Sequence, residues 1–362
     1  MFPVCLLLFL LLCCILNAYG SSGDLDPIYR ECLLGSTKAY ISTSEKAKGY
    51  EKDAVLHCSQ SSRNQPLCEY SCMQWISAGR RDRGLHVLKY YGHWPFLRVW
   101  GMQEPASAVF SLLNIIPHLY ALLHRGIRNR YVRWNHFLAP WLAVYPYISI
   151  NAWIASTLYH ISHGHESQHH MTVFSTSMYD YMSALMILVY ALTMVTRKLI
   201  GDVNNSNNMG YVYTIVCTSI FLFMYQLYRM FIGLVTYDSH MKVCILLAVC
   251  HSLLWMFWII FSTNISNLRR VLCLLCNVWF IGASMLELFD FEPLFFHFDA
   301  HSLWHAATIP LGYLWYSFWI VDVEESLIAS KQTPSDSTFE STNSAAATGK
   351  RISGSKRAQK EV

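Results

Sequence analysis

The sequence predicts an all-α membrane protein: a seven-transmembrane helix bundle with a small disulfide-containing lumenal N-terminal region. Three observations carry that expectation. Hydrophobic residues fill 54% of the 362 positions and charged residues only 14%, a balance that suits lipid better than water. Seven apolar segments follow residue 100, approximately 105–124, 137–160, 178–196, 211–233, 243–261, 271–288 and 301–321, each long enough to cross a hydrocarbon core as a helix. Lys and Arg gather in alternate connections between them, which fixes a direction.

Residues 1–20 hold the short apolar run VCLLLFLLLCCIL and end in small residues around Ala18 and Gly20, the build of a cleavable signal peptide. An uncleaved first membrane helix is the alternative. Residues 21–100 then form a lumenal region with Cys32, Cys58, Cys68 and Cys72. An even number of cysteines in an oxidising compartment predicts two disulfides of unspecified pairing; a zinc knot of four thiolates competes. Cys217, Cys244, Cys250, Cys273 and Cys276 fall in apolar runs and are expected to pack as small hydrophobes.

Residues 101–321 carry the seven spans, and 322–362, rich in Ser, Thr, Ala and Lys, are expected to be a disordered cytosolic tail. The loop 125–136 holds Arg125, Arg128, Arg130 and Arg133; the third linker opens with Arg197 and Lys198; the fifth holds Arg269 and Arg270; the tail holds Lys350, Arg351, Lys356, Arg357 and Lys360. The intervening linkers 161–177, 234–242 and 289–300 contain only Lys242. A lumenal N-terminus and cytosolic C-terminus follow. Arg80, Arg81 and Arg83 lie on the lumenal side, in a region large enough to be translocated regardless of charge. The sequons at Asn204 and Asn264 then face the cytosol and stay unglycosylated. The net charge of +4 adds nothing that points to nucleic acid, and the oligomeric state is left open.

Direction gives depth. The second span ends at the lumenal face with Ser156 and His160, the third begins there near Asp180, and the seventh opens there with His301 and His305. Residues four apart share a helix face, so each pair can address one centre. Three imidazoles leave a fourth tetrahedral position open, as in a catalytic zinc site, and zinc lowers the pKa of water there toward ~7. Asp180 suits proton transfer or the orientation of a ligand imidazole. Ser156 suits an oxyanion or the water, with nucleophile as the alternative role. His118 and His251 are expected to bond between helices, and His163, His165, His169 and His170 to form a solvated loop. Arg229 either meets a substrate phosphate or snorkels to headgroups. Glu104 and Glu287 support the site, pair with Arg229, or mark the interface.

The segments SSGDLDPIYRECL, WPFLRVWGMQEPASAVFSLLN, NAWIASTLYH, YDYMSA and DAHSLWHAAT resemble the Per-type, post-GPI-attachment-to-proteins phospholipases over nearly all of residues 21–321. That family sits in a superfamily of seven-helix membrane hydrolases with the alkaline ceramidases and the progestin and adipoQ receptors. Its pattern of SxxxH, then Asp, then HxxxH falls on Ser156, His160, Asp180, His301 and His305. The resemblance implies zinc-dependent removal of the sn-2 acyl chain from the lipid of GPI-anchored proteins, within membrane lipid, in the Golgi or alternatively the endoplasmic reticulum. The chain departs from the pattern in a long histidine-rich loop before Asp180, which makes Glu166 the competing acid–base group. A ceramidase-like amidase and a non-catalytic seven-helix receptor or remodelling protein are the alternative functions.

Overall fold

The computed structural model describes residues 22–35, 45–59, 65–124, 136–162, 171–204, 209–235, 237–263 and 265–332. The proposed signal segment, the arginine-bearing loop 125–135, the histidine cluster with Glu166, Asn264 and residues 333–362 lie outside the described residues. Among the described residues the protein is helical, with only isolated β-bridges. The helices are α1 Pro27–Leu33, α2 Glu45–Ser59, α3 Gln65–Asp82, α4 Pro105–Leu123, α5 Ala139–Ser162, α6 Met171–Asn204, α7 Met209–Phe231, α8 Tyr237–Phe261, α9 Asn267–Phe289 and α10 Ala300–Gln332.

Helices α1 to α3 form the N-terminal region, with a core of Tyr29, Trp75, Ile76 and Tyr90. Disulfides Cys32–Cys72 and Cys58–Cys68 cross it, so the four thiols pair rather than hold a metal. Among the described residues, the five other cysteines are free and lie in the long helices.

Helices α4 to α10 make the bundle, and five of them are long and apolar enough to cross a membrane: α4, α6, α7, α8 and α9. At 24 and 33 residues, α5 and α10 have the length. They carry the polar site residues and many Trp and Tyr, which lower their mean hydropathy. The chain is thus a multi-pass helical membrane protein. In the bundle α4 packs on α5 and α10, α5 on α6, α6 on α8, α8 on α9 and α9 on α10, a closed ring with α7 lying outside against α6. Gly312 permits the close approach of α10 to α4: a Cβ there would meet the Pro117 Cβ at 2.9 Å, so a side chain would push α10 off α4.

Three boundaries differ from expectation, and one cause links them. Arg197, Lys198, Arg269 and Arg270 lie inside α6 and α9 rather than in linkers, and α10 runs through residues 322–332, assigned from sequence to the tail. Asp322, fully buried, sits between Lys198 Nζ at 2.8 Å and Arg269 Nε at 3.0 Å. Ser266 Oγ donates to Glu325 Oε1 one turn beyond, at 2.9 Å. Burying those cations requires a paired carboxylate, and only a continued helix delivers Asp322 to them. The charged cluster lies 21 residues along α10 from His301, roughly 30 Å at the helical rise.

Candidate metal centre

The far end of the same helices gathers the histidines. Asp299 and Ser302 start α10 by reciprocal capping: Ser302 N donates to Asp299 Oδ1 (2.8 Å), and Asp299 N to Ser302 Oγ (3.0 Å). This cap frees the first turn of α10 from water and aims His301 and His305 inward from its start. His160 comes from the last turn of α5. The chain entering α4 is pinned to it, because Glu104 N donates to His160 O at 3.1 Å.

Each imidazole is held at Nδ1, leaving Nε2 to converge. His160 Nδ1 lies 2.8 Å from Glu104 Oε2, His301 Nδ1 2.7 Å from Glu287 Oε2, and His305 Nδ1 3.4 Å from Ser111 Oγ. A carboxylate accepts, so the two Nδ1 atoms facing Glu104 and Glu287 carry hydrogen, and in the neutral ring each Nε2 then presents a lone pair. His305 Nε2 is 2.9 Å and His160 Nε2 3.4 Å from His301 Nε2. One donor atom from each ring falls within 4.8 Å of the other two, a group able to hold a single metal ion. His160 and His305 are each 2% exposed, so both rings are buried.

Two cavities meet here. The outer one, about 410 Å³, lies between the N-terminal region and the bundle and is lined by Lys89, His93, Trp94, Glu104, His160 and Asp299, among others. The inner one, about 260 Å³, runs down the bundle centre and includes Ser156, Asp180 and His305 in its wall. Tyr159, Met241, Glu287 and His301 line both. The N-terminal region roofs the outer cavity through the 290–299 loop: Val87 N donates to Glu292 Oε2 (3.0 Å), and the Arg81 guanidinium lies 3.6 Å from the centre of the Phe296 ring.

All five sequence-predicted residues, Ser156, His160, Asp180, His301 and His305, therefore border one connected space. Ser156 Oγ reaches the cluster through Ser111: it lies 3.0 Å from Ser111 Oγ, which in turn faces His305. Asn114 fixes the next layer by donating from Nδ2 to His305 O at 2.7 Å. Sequence reasoning missed Ser111 and Asn114 and left Glu104 and Glu287 with several roles. The overlooked signal is a stripe on α4, where Glu104, Ser107, Ser111, Asn114 and His118 recur every three or four residues and are all buried. Of the other polar positions, His118 bonds between helices to Tyr316 Oη at 2.8 Å, whereas His251 accepts from Trp255 Nε1 on its own helix at 3.0 Å. Arg229 is buried, donates to Gln226 Oε1 at 3.2 Å and lies outside the lining of both cavities.

Fold and site together define a multi-pass helical membrane protein built around a buried three-histidine centre that opens both to its N-terminal region and into its own core. The model of the Per1-like family matches residues 56–323, and the chain belongs to that family. Among curated proteins it is 32% identical over 252 residues to "Post-GPI attachment to proteins factor 3" of Drosophila melanogaster, covering 69% of this chain and 71% of that one. It is 28% identical over 314 residues to "GPI-specific phospholipase A2-like PGAP3" of Danio rerio, covering 84% and 91%. The protein of the same description from Homo sapiens is 26% identical over 305 residues, covering 83% and 89%. No solved structure matches the chain.

Proposed function

We propose that this protein is a zinc-dependent hydrolase that removes the sn-2 acyl chain from the lipid of GPI-anchored proteins at the lumenal face of a Golgi or endoplasmic reticulum membrane, with all seven long helices crossing. The relatives' names support a role in GPI-anchor remodelling. The single observation that carries the hydrolytic reading is the convergence of three Nε2 atoms, each ring held from behind. Three neutral rings so placed turn their Nε2 lone pairs toward one centre, which suits a cation. Tetrahedral zinc at ~2.0–2.1 Å from nitrogen sets its donors roughly 3.3 Å apart, near the observed 2.9 and 3.4 Å, so His160, His301 and His305 suit it. Zinc bound there supplies Lewis acidity and makes water acidic enough to react at neutral pH.

The remaining chemistry belongs to the chain. Hydrolysis joins a water oxygen to the acyl carbon and breaks the bond from that carbon to the glycerol oxygen, which leaves with a proton. Asp180, which lines the inner cavity together with His301 and His305, takes the proton from water and returns it to the leaving oxygen. Ser156, supported by Ser111, donates to the carbonyl oxygen as charge develops on it. Glu104 and Glu287 keep His160 and His301 in one tautomer and one orientation. The apolar inner cavity takes the acyl chain, the outer cavity takes the polar end of the lipid, and the ester lies where they meet. A GPI lipid occupies only the lumenal leaflet, so the histidines must face the lumen, the side opposite the basic end of the bundle. The test is mass spectrometry of GPI lipids from cells lacking this protein, with and without its return. Loss and restoration of sn-2 exchange is expected; unchanged lipids in both would overturn the proposal.

A further inference from the structure

The inner cavity has a definite length, and its far end is sealed. Its lining on α6 begins at Asp180 and ends at Met194, 14 residues on; on α8 it runs 15 residues from His240 to Trp255; on α10 it begins at His301, and Trp319 lies 14 residues below His305. On α6 and α8, which start at the histidine end, the depth is ~21 Å at ~1.5 Å per residue, and the same depth separates His305 from the last lining residue of α10. The α6 wall is lined by Asp180, Ala184, Ile187, Ala191 and Met194, a single helical face with small residues at its middle, so the channel is kept open by alanine. Met194, Trp255, Trp315 and Trp319 close the bottom. They are 2%, 0%, 8% and 4% exposed, and the Trp255 ring centre lies 5.3 Å from those of both Trp315 and Trp319. A close-packed aromatic floor of this kind does not yield readily to an added methylene.

We propose that this cavity is a chain-length gauge for one acyl chain, with the tryptophan floor admitting about 16 to 18 carbons and Ala184 and Ala191 leaving the path clear; the inference rests on the reading above that the substrate is an acyl ester. An extended chain advances roughly 1.2 Å per bond, a third of the span of one extended residue. The ~21 Å depth therefore holds about 17 bonds below the histidines. Each further methylene that fits stabilises binding by ~0.8 kcal/mol, near fourfold, and the first that meets the floor gains nothing. Ala191 lies 11 residues along α6 from Asp180, ~16 Å, so a phenyl ring placed there stops the chain at about 12 carbons or fewer.

The experiment is native mass spectrometry of the purified full-length protein in detergent, offered an equimolar mixture of even-numbered saturated fatty acids from octanoic to docosanoic. Wild-type protein is expected to be occupied mainly by palmitic and stearic acids. Ala191→Phe should move the maximum to dodecanoic acid or below, and Trp319→Ala should move it to longer chains, each by tenfold or more in the ratio of long to short. Ala184→Phe is a second constriction nearer the histidines, and filling an open channel removes no packing, so the test survives if Trp319→Ala fails to fold. Occupancy that rises with chain length alike in wild type and folded variants would overturn the gauge, as would wild-type protein that takes up no fatty acid. A shifted profile without deacylation of anchors would uphold the gauge and overturn the hydrolase reading. Deacylation with an unshifted profile would overturn the gauge alone.

Discussion

Replacing Glu104 separates the orientation of a proposed metal ligand, His160, from its presence. Glu104 and His160 are 6% and 2% exposed, and their 2.8 Å contact has little competition from water. A hydrogen bond to a charged group contributes ~1.5–3 kcal/mol, which corresponds to roughly 10- to 100-fold in zinc affinity. Glu104→Ala should show that full loss, because His160 Nδ1 is left without its acceptor. Glu104→Gln keeps an acceptor oxygen without the charge and should lose less than tenfold. The side chain of Glu287 is 13% exposed and that of His301 27%, so Glu287→Ala should fall below Glu104→Ala. The assay is zinc occupancy by plasma mass spectrometry after dialysis against chelator-buffered zinc, with size-exclusion elution recorded for each variant. Wild-type affinity in folded Glu104→Ala would refute the orienting role. Equal loss in Gln and Ala variants, with both aggregated, would assign Glu104 to folding instead.

Asp180→Asn and Ser156→Ala should remain folded and zinc-bound yet lose ~10²-fold or more in sn-2 deacylation, measured as released fatty acid; Glu166→Gln, run beside them, identifies the base if it alone is silent. Asp322→Ala leaves Lys198 and Arg269 buried without their shared partner and should lower stability by ~3–5 kcal/mol, read as thermal unfolding in detergent. Loss of Cys32–Cys72, which closes 40 residues, should cost about 4 kcal/mol, and loss of Cys58–Cys68, which closes 10, about 3 kcal/mol; proteolysis of the N-terminal region in Cys→Ala variants ranks them. Asn204 and Asn264 should carry no glycan, and endoglycosidase sensitivity traced to either would reverse the orientation.

Much of the site was legible because helices repeat. His301 and His305, four residues apart, must share a face, and the alternation of basic linkers brought three span ends to one level before any contact was known. Ser111 escaped notice because a lone serine in an apolar span is unremarkable in sequence; only the approach of α4 to α10 at Gly312 and Pro117 brings it to His305 and Ser156. The role of Glu287 was open for the same reason, since a carboxylate near a helix end reads equally as interface or partner until its histidine is located. The end of α10 was misjudged because composition turns polar at Asp322, and a polar residue that completes a buried ion cluster looks, in sequence, like one that enters water. Spans and periodicity are local, whereas such pairings are tertiary and pass without a signal in either partner's neighbourhood.

The most direct measurement is mass spectrometry of a purified GPI-anchored protein's lipid after incubation with this protein, zinc-loaded and then zinc-stripped, beside His301→Ala. Zinc-loaded wild type should yield a lyso-anchor and one free fatty acid from sn-2, in equal amounts, and the stripped and His301→Ala proteins should yield neither. An intact anchor after incubation with folded, zinc-loaded wild type would contradict the proposed hydrolase.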